Sequence, residues 1–215
     1  MPESNIKLAN EFADEYDNSI AKNNWTSPQI LFKMIEERLQ PKSAILDVGI
    51  GTGESSAPFY RAGHSITGVD GSKKMLTKCK SKNITERLTQ INLETESLPF
   101  SDKFFDLVIS NGVFHLISPL NDIFSEISRV LKYRGYFAFT FENANDTSGY
   151  DEIAPGIWEN KTPTGVFTFK YNTGYISELL QNNGFTEIKQ STFLAFQNKE
   201  LRKDFYFTAV LSQLE

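Results

Sequence analysis

The chain has 215 residues, with 22 Lys and Arg against 27 Asp and Glu and a formal charge of −5. That length suits one large domain or a domain with a small lid, and 40% apolar with 23% charged residues is too ordinary a balance for wholesale disorder. A single cysteine, Cys79, excludes a disulfide framework or a Cys-rich zinc site, and two histidines, His64 and His115, leave few ligands for any metal.

Net acidity argues against broad nucleic-acid binding, which needs many cations on phosphates. No run approaches the ~20 apolar residues of a membrane span. The start, MPESNIKLANEF, lacks the basic and apolar regions of a secretory signal. A cytoplasmic enzyme or binding protein is expected, with no membrane and no nucleic-acid partner.

The first forty residues read as helices. Phe12, Tyr16 and Ile20 recur at i+4, and Ile30, Leu31, Met34, Ile35 and Leu39 follow at helical spacing. Ser27 is the expected N-cap and Pro28 the first helical residue, with Pro41 as the stop. A short apolar strand, Ala44 to Val48, then breaks into Gly49-Ile50-Gly51-Thr52-Gly53. A helix is predicted over Glu54 to Arg61, a strand from His64 to Val69, and a helix opened by Ser72. A weak strand covers Arg87 to Asn92, a strong one Phe104 to Ile109, and a helix Pro119 to Leu131. Gly135 to Phe141 is a fifth strand.

Strands and helices that alternate with short loops indicate a doubly wound α/β sheet. The close differs: a helix from Gly174 to Asn183, stopped by Gly184, and then two strands, Phe185 to Phe193 and Asp204 to Leu211, with no helix-length segment between them. They are expected to pair as an antiparallel hairpin. The prediction is a three-layer, seven-stranded, mostly parallel sheet with that C-terminal hairpin. Residues 1–40 form a helical cap and 41–215 the binding domain, in a single structural unit.

A strand that runs into Gly-x-Gly-x-Gly and a helix brings backbone close to a ligand, because glycine has no Cβ to collide. A dinucleotide site would have glycine at the sixth position, beside the pyrophosphate. Here Glu54 stands there, and Asp47 adds a second carboxylate at the end of the first strand. Two anions repel a pyrophosphate and suit a cationic ligand.

Ile45 to Gly53 closely resembles the first motif of class I S-adenosylmethionine-dependent methyltransferases. Further motifs of that family follow in order: Gly68-Val69-Asp70-Gly71-Ser72 with Met75-Leu76, Leu98-Pro99-Phe100, Phe105-Asp106-Leu107-Val108, and Arg129-Val130-Leu131-Lys132. Gly184-Phe185 falls at the family's Gly-Phe turn. The form Gly-Val-Asp-Gly-Ser-x-x-Met-Leu also resembles the Williams-Beuren-region methyltransferase-like proteins. The resemblance implies S-adenosylmethionine as cofactor and methyl transfer to an acceptor.

It also implies residue roles. Asp47 lies beneath the methionine moiety, with a helix N-cap as its alternative. Gly49, Gly51 and Gly53 approach the cofactor, or merely make a tight turn. Asp70, about 20 residues past the loop, accepts from the ribose hydroxyls. Gly71 and Met75 flank the adenine, although Met75 equally suits helix packing. Many relatives place an Asp after the third strand; here Asn92 and the Leu93 N–H are the expected adenine contacts, with Glu94 competing. Backbone carbonyls at Ser110 and Asn111 receive the ammonium. The Asn-Pro-Pro-Tyr pattern of amino-group methylation of adenine or glutamine is missing, which argues against those acceptors.

His115 is a candidate general base, or a capping or core histidine. His64 reads as structural. Tyr16 either contacts the methionine carboxylate or docks the cap. Lys73, Lys74, Lys78, Lys80 and Lys82 read as a solvated helix face. Residues 143–170 are long for a connection, so an acceptor lid is expected there, holding Tyr150, Ile157, Trp158, Phe167 and Phe169.

Of 18 phenylalanines only Phe12, Phe32 and Phe59 precede residue 100. Phe137, Phe139, Phe141, Phe205 and Phe207 alternate along strands and read as sheet packing, which leaves chiefly Phe167 and Phe169 to hold a substrate. A small-molecule acceptor is expected from the short acidic chain. The alternatives are a non-catalytic S-adenosylmethionine binder and, more distantly, a nicotinamide oxidoreductase.

Overall fold

The computed structural model describes residues 2–198 and 203–215. Helices α1 (Glu3–Lys22) and α2 (Ser27–Ile35) lead into β1 (Ala44–Val48), α3 (Ala57–Arg61), β2 (Ser65–Asp70), α4 (Lys73–Ser81), β3 (Arg87–Gln90), β4 (Phe105–Ser110), α5 (Asn121–Val130) and β5 (Leu131–Glu142). Three short strands follow, β6 (Asp151–Ala154), β7 (Ile157–Lys161) and β8 (Phe167–Tyr171). Helix α6 (Thr173–Asn182) and the strands β9 (Phe185–Asn198) and β10 (Lys203–Leu214) close the chain.

The main sheet has the order β3-β2-β1-β4-β5-β10-β9. Pairs from β3 to β5 are parallel, and β10 runs antiparallel to both β5 and β9. The seven strands and the terminal hairpin match the expected architecture. Strand order reverses between β1 and β4, and at such a switch point the connections leave in opposite directions and open a crevice for ligands.

The sheet buries both faces. Phe137, Phe139 and Phe141 of β5 point into one core with Phe124 and Ile127 of α5 and Leu179 and Leu180 of α6. Ile45, Leu107 and Ala138 face the other way, toward Leu31 of α2, Phe59 of α3 and Cys79 of α4. Alternation along each strand thus feeds two separate apolar layers. Among the described residues no helix is long and apolar enough to cross a membrane.

Several boundaries depart from the sequence reading. Thr26, not Ser27, caps α2. The Thr26 N–H and hydroxyl donate instead to carbonyls of β9, at Ala195 and Leu194 respectively, while the Ser27 hydroxyl donates to Asn111 Oδ1 at 2.5 Å. Helix α3 begins at Ala57 rather than Glu54, because left-handed backbone at Gly51 and Gly53 (φ +54° and +89°) keeps the chain in turns up to Ser56. Strand β3 stops at Gln90, and both hairpin strands run further than expected.

The largest correction concerns residues 143–170. They are not an irregular loop: β6, β7 and β8 form an antiparallel sheet of their own, and Gly156 (φ +81°) supplies the tight turn between its first two strands. This small sheet sits behind the turn that holds His115. The Tyr171 hydroxyl donates to the Ile117 carbonyl, and Asn143 bridges to Tyr171.

Candidate active site

A cavity of about 290 Å³ lies at the C-terminal ends of β1, β2 and β4, under α1. Its inner wall is Gly49, Gly51, Asp70 and Asn111; Ala9, Phe12, Tyr16 and Ile20 of α1 form the outer wall. Trp25, His115, Phe196 and Phe207 line it as well, with Met75 also in contact.

The three glycines of the loop have different reasons to be glycine. A Cβ at Gly49 would stand 2.3 Å from a Val113 methyl, and one at Gly53 2.9 Å from Cys79 Sγ and 2.8 Å from Ile84. Those two positions serve packing. At Gly51 nothing stands within 4 Å of the Cβ position, and the residue lines the cavity. That position opens into the cavity rather than into packed neighbours. The Gly51 N–H donates to Asp70 Oδ2 at 2.9 Å, and the Ser72 N–H to Asp70 Oδ1 at 2.7 Å. Asp70 is thereby aimed by two backbone donors, one on each oxygen, and retains lone pairs toward the cavity.

Burial pushes the Asp70 carboxyl upward, and the two N–H bonds draw it partly back. Asp47 is buried beneath the loop, where its Oδ2 accepts from Ser56 Oγ at 2.7 Å. Burial raises its pKa to about 7, against the Ser56 bond and with help from the charge of Asp70. Glu54 is paired with Lys82 at 2.6 Å, so its charge is compensated. Both findings moderate the picture of two bare anions beside the loop. The remaining appeal to a cation comes from two carboxyls whose ionisation the protein alone resists.

Of the twelve expected cofactor contacts, Tyr16, Gly49, Gly51, Asp70, Met75 and Asn111 line the cavity. The other six, Asp47, Gly53, Gly71, Asn92, Leu93 and Ser110, do not. Gly71 is covered by Ile6 of α1, whose side chain would stand 2.9 Å from a Cβ there. Asn92 is engaged within its own turn, where its Oδ1 accepts from the Glu94 N–H at 3.1 Å, while Leu93 is a core residue. The competing Glu94 accepts from the Ser118 N–H at 3.4 Å. Ser110 donates to the Val48 carbonyl at 2.9 Å. Asn111 is a buried crosslink as well as a lining residue, since it accepts from Ser27 and Thr140 and donates to Ser55.

His115 lines the cavity from a single helical turn, Phe114–Leu116, and its ring lies 5.2 Å from that of Phe207. Its Nδ1 is buried and, among the described residues, is the one buried side-chain nitrogen or oxygen with no hydrogen-bond partner. Burial lowers its pKa to about 4, so the imidazole is neutral at physiological pH. His64 is remote from the cavity, and its Nδ1 accepts from the Ser43 N–H.

The aromatic lining corrects the sequence reading. Phe207, assigned to sheet packing, faces the cavity, and Phe196 was missed altogether. Phe169 is buried in the main core and Phe167 lies under Lys161; no residue of 143–170 lines this cavity. The alternation of Phe205 and Phe207 was visible in sequence, but not the height along the strand at which packed core gives way to open space.

Helix α1 covers the site with little apolar anchorage, since Asn5 and Ala13 are its buried residues. Polar ties hold it. Asn5 donates to the carbonyls of Phe167 (2.8 Å) and Leu116 (3.3 Å) and accepts from the Phe167 N–H (2.9 Å). Asn10 accepts from Ser72 and Lys74, and Asp17 meets Thr52 and Lys82. The lysine face of α4 is therefore partly used: Lys78 and Lys82 clamp Asp14 and Asp17 of α1.

This sheet order, with a ligand loop at its switch point, defines a Rossmann-like α/β protein. A family model described as a methyltransferase domain matches residues 46–139. An uncharacterised protein of Methanocaldococcus jannaschii is 32% identical over 190 residues, which is 86% of this chain and 83% of that one. An uncharacterised methyltransferase of Synechocystis is 27% identical over 165 residues, 72% of each chain. A demethylmenaquinone methyltransferase of Tropheryma whipplei is 38% identical over 96 residues, but the match spans only 38% of that protein's length. In fold, the chain is similar to a crystal structure of a methyltransferase from Methanosarcina mazei, with a TM-score of 0.71 at 19% identity, covering 85% of this chain and 98% of that one. The chain belongs to the class I S-adenosylmethionine-dependent methyltransferases, and is an enzyme with S-adenosylmethionine as its cofactor.

Proposed function

We propose that the enzyme methylates a small molecule held between the glycine loop and His115. The observation that supports this most is the continuity of one cavity from Gly51 and Asp70 to His115 and Phe207. Side chains do not fill the acceptor end, which counts against a purely regulatory binder. The Tropheryma relative, named for a small-molecule acceptor, agrees with the reading. An acidic chain whose one thiol is free and buried suits the cytoplasm.

S-adenosylmethionine supplies a methyl group already activated on a positively charged sulfur. The protein's work is then placement and exclusion of water. Asp70 holds the ribose hydroxyls, with Gly51 as the open floor. Asp47, below the loop, supplies negative potential under the methionine moiety, and backbone carbonyls at Ser110 and Asn111 accept from the ammonium. Tyr16, whose hydroxyl stays protonated because burial and nearby carboxylates push its pKa up, donates to the methionine carboxylate. Met75 and Gly71 would flank the adenine, with Asn92 and the Leu93 N–H as its polar contacts. Residues 1–40 serve as the cap. His115 contacts the acceptor.

Replacement of Asp70 by Ala tests the site. Two charge-assisted hydrogen bonds are lost, each about 1.5–3 kcal/mol, so affinity for S-adenosylmethionine falls by about a hundred-fold or more, while the Gly51 and Ser72 N–H groups lose their acceptor and the fold loses about 1–3 kcal/mol of stability. Unchanged affinity by calorimetry would remove Asp70 from the site. S-adenosylhomocysteine release across a metabolite panel identifies the acceptor.

A further inference from the structure

We propose that the acceptor is an uncharged, planar nitrogen heterocycle that stacks on Trp25 and takes the methyl group on a ring nitrogen, through that atom's own lone pair and without a general base. The inference rests on the methyltransferase reading above and adds the substrate class and a specificity-determining residue. Trp25 stands at the junction of α1 and α2. Its N–H donates to the Ile20 carbonyl at 3.3 Å, and the N–H of the next residue, Thr26, donates to the Ala195 carbonyl of β9 at 3.1 Å. The indole edge lies over Gly112, where a Cβ would stand 3.1 Å from Cζ2. Trp25 thereby borders the cavity just beyond the end of β4, together with Phe196 and Phe207 of the hairpin. Flat walls held in this way favour a ring.

Charge narrows the choice further. Asp70 is the one charged side chain among the described lining residues. An anionic acceptor would be buried without a counter-charge, which is costly, and a cationic one would share the cavity with the donor's positive sulfur. None of the described lining side chains is suited to take a proton. Both Asp70 oxygens accept backbone N–H bonds, Tyr16 stays protonated, and His115 has a buried Nδ1 and a ring of lowered basicity. A hydroxyl must shed its proton to attack, and an ordinary amine is already protonated at neutral pH. A weakly basic ring nitrogen has neither handicap, because it is neutral with a free lone pair. That lone pair forms the new bond to the methyl carbon, and the carbon–sulfur bond breaks with its electron pair on sulfur. Positive charge passes from sulfur to the ring nitrogen, and no proton moves. The faces of Trp25 and Phe207 attract that charge as it develops on the acceptor.

The test uses the full chain saturated with S-adenosylhomocysteine, with quinoline, 2-naphthoate and 1-methylquinolinium as probes of one bicyclic shape. Calorimetry is expected to give quinoline binding about ten-fold tighter or more than 2-naphthoate. The 1-methylquinolinium cation carries the charge of the product. It is expected to bind the S-adenosylhomocysteine complex about ten-fold tighter or more than the S-adenosylmethionine complex, because only the latter adds a second cation. The indole N–H resonance of Trp25 shifts on quinoline binding, and that of Trp158 does not. Trp25→Ala weakens quinoline binding about ten-fold, and Trp25→Phe restores much of it. Across the metabolite panel, the new methyl group is found on ring nitrogens. Equal or tighter binding of 2-naphthoate, equal binding of the cation to both complexes, an unmoved Trp25 resonance, quinoline binding indifferent to Trp25→Ala, or transfer to hydroxyl compounds alone would overturn the proposal. Failure of S-adenosylhomocysteine itself to bind would instead overturn the cofactor reading, so the two failures are separable.

Discussion

The two walls of the cavity are made on opposite principles. The inner wall grows from β1, β2 and β4, whose residues at the loop are buried and whose polar groups are satisfied by backbone: Asp70 by Gly51 and Ser72, Ser110 by Val48. The outer wall is a 20-residue helix with two buried residues, tied down by amides and partly exposed ion pairs. One wall is fixed by packing and the other is latched. Ligand entry through the latched wall needs no disturbance of the sheet, because local openings draw on the least buried elements first.

The sharpest break of this contrast is at the loop. Gly49→Ala drives a Cβ into Val113 on left-handed backbone and is expected to cost about 2–5 kcal/mol. Gly51→Ala meets no atom and costs only about 1 kcal/mol of backbone strain, yet it narrows the cavity and weakens cofactor binding. Denaturant melts and calorimetry on both variants separate the packing glycine from the ligand glycine; equal stability losses would dissolve the distinction.

Next in size is the latch. Asn5→Ala removes three hydrogen bonds, so amide exchange in α1 is expected to accelerate by about 1–3 kcal/mol of opening free energy, with β1 and β4 unaffected. Exchange that rises equally in the sheet would show that α1 is part of one cooperative unit.

The buried groups around the loop respond to pH. Asp47, raised to about 7 in the fold, takes up a proton there before it does in the unfolded chain, so its contribution grows as pH falls from about 7 toward the ordinary carboxyl range. His115, lowered to about 4, acts oppositely: the unfolded chain binds the proton first, and stability is lost as pH falls from about 6.5 to 4. Asp47→Asn is therefore expected to steepen the loss of stability on acidification, and His115→Phe to flatten it. Melting curves at pH 8 and pH 5 with the reverse order would refute both assignments.

The outer wall responds to salt, and least of all. High ionic strength is expected to speed α1 exchange by less than about 1 kcal/mol, through Lys78–Asp14 and Lys82–Asp17. An absence of salt dependence would leave the Asn5 and Asn10 amides as the whole latch.

The same division governs what was legible in sequence. Asp70 was readable because it ends a strand at a fixed distance past a glycine loop, and the seven strands because each alternates or runs apolar between turn residues. Local pattern dictates both. That Gly53 stands off the cavity could not be read, because the neighbours that crowd it, Cys79 and Ile84, come from the next unit of the chain. Phe207 packs in the sheet as its alternation suggests, but that it also borders the cavity was not legible, because periodicity gives a face but not a height. The sheet β6–β8 had its signals, Pro155-Gly156 and the alternation of Phe167 and Phe169, and was overlooked because its length suggested a loop. Asn5 gave none: a lone asparagine on a polar helix looks like surface until β8 is laid beside it.

That last contact has a consequence for how the molecule is made. The Asn5 amide mimics a strand's own donor and acceptor toward Phe167, a partner 162 positions away, and Thr26 docks on Ala195, 169 positions away. During synthesis α1 therefore emerges early and waits, largely polar and without a berth, until β8 and β9 exist. Contacts of such long reach form late because closing the chain between them is entropically costly. The protein completes its scaffold before it acquires a binding site, and a nascent chain stalled short of β8 would hold the glycine loop and Asp70 with no roof over them.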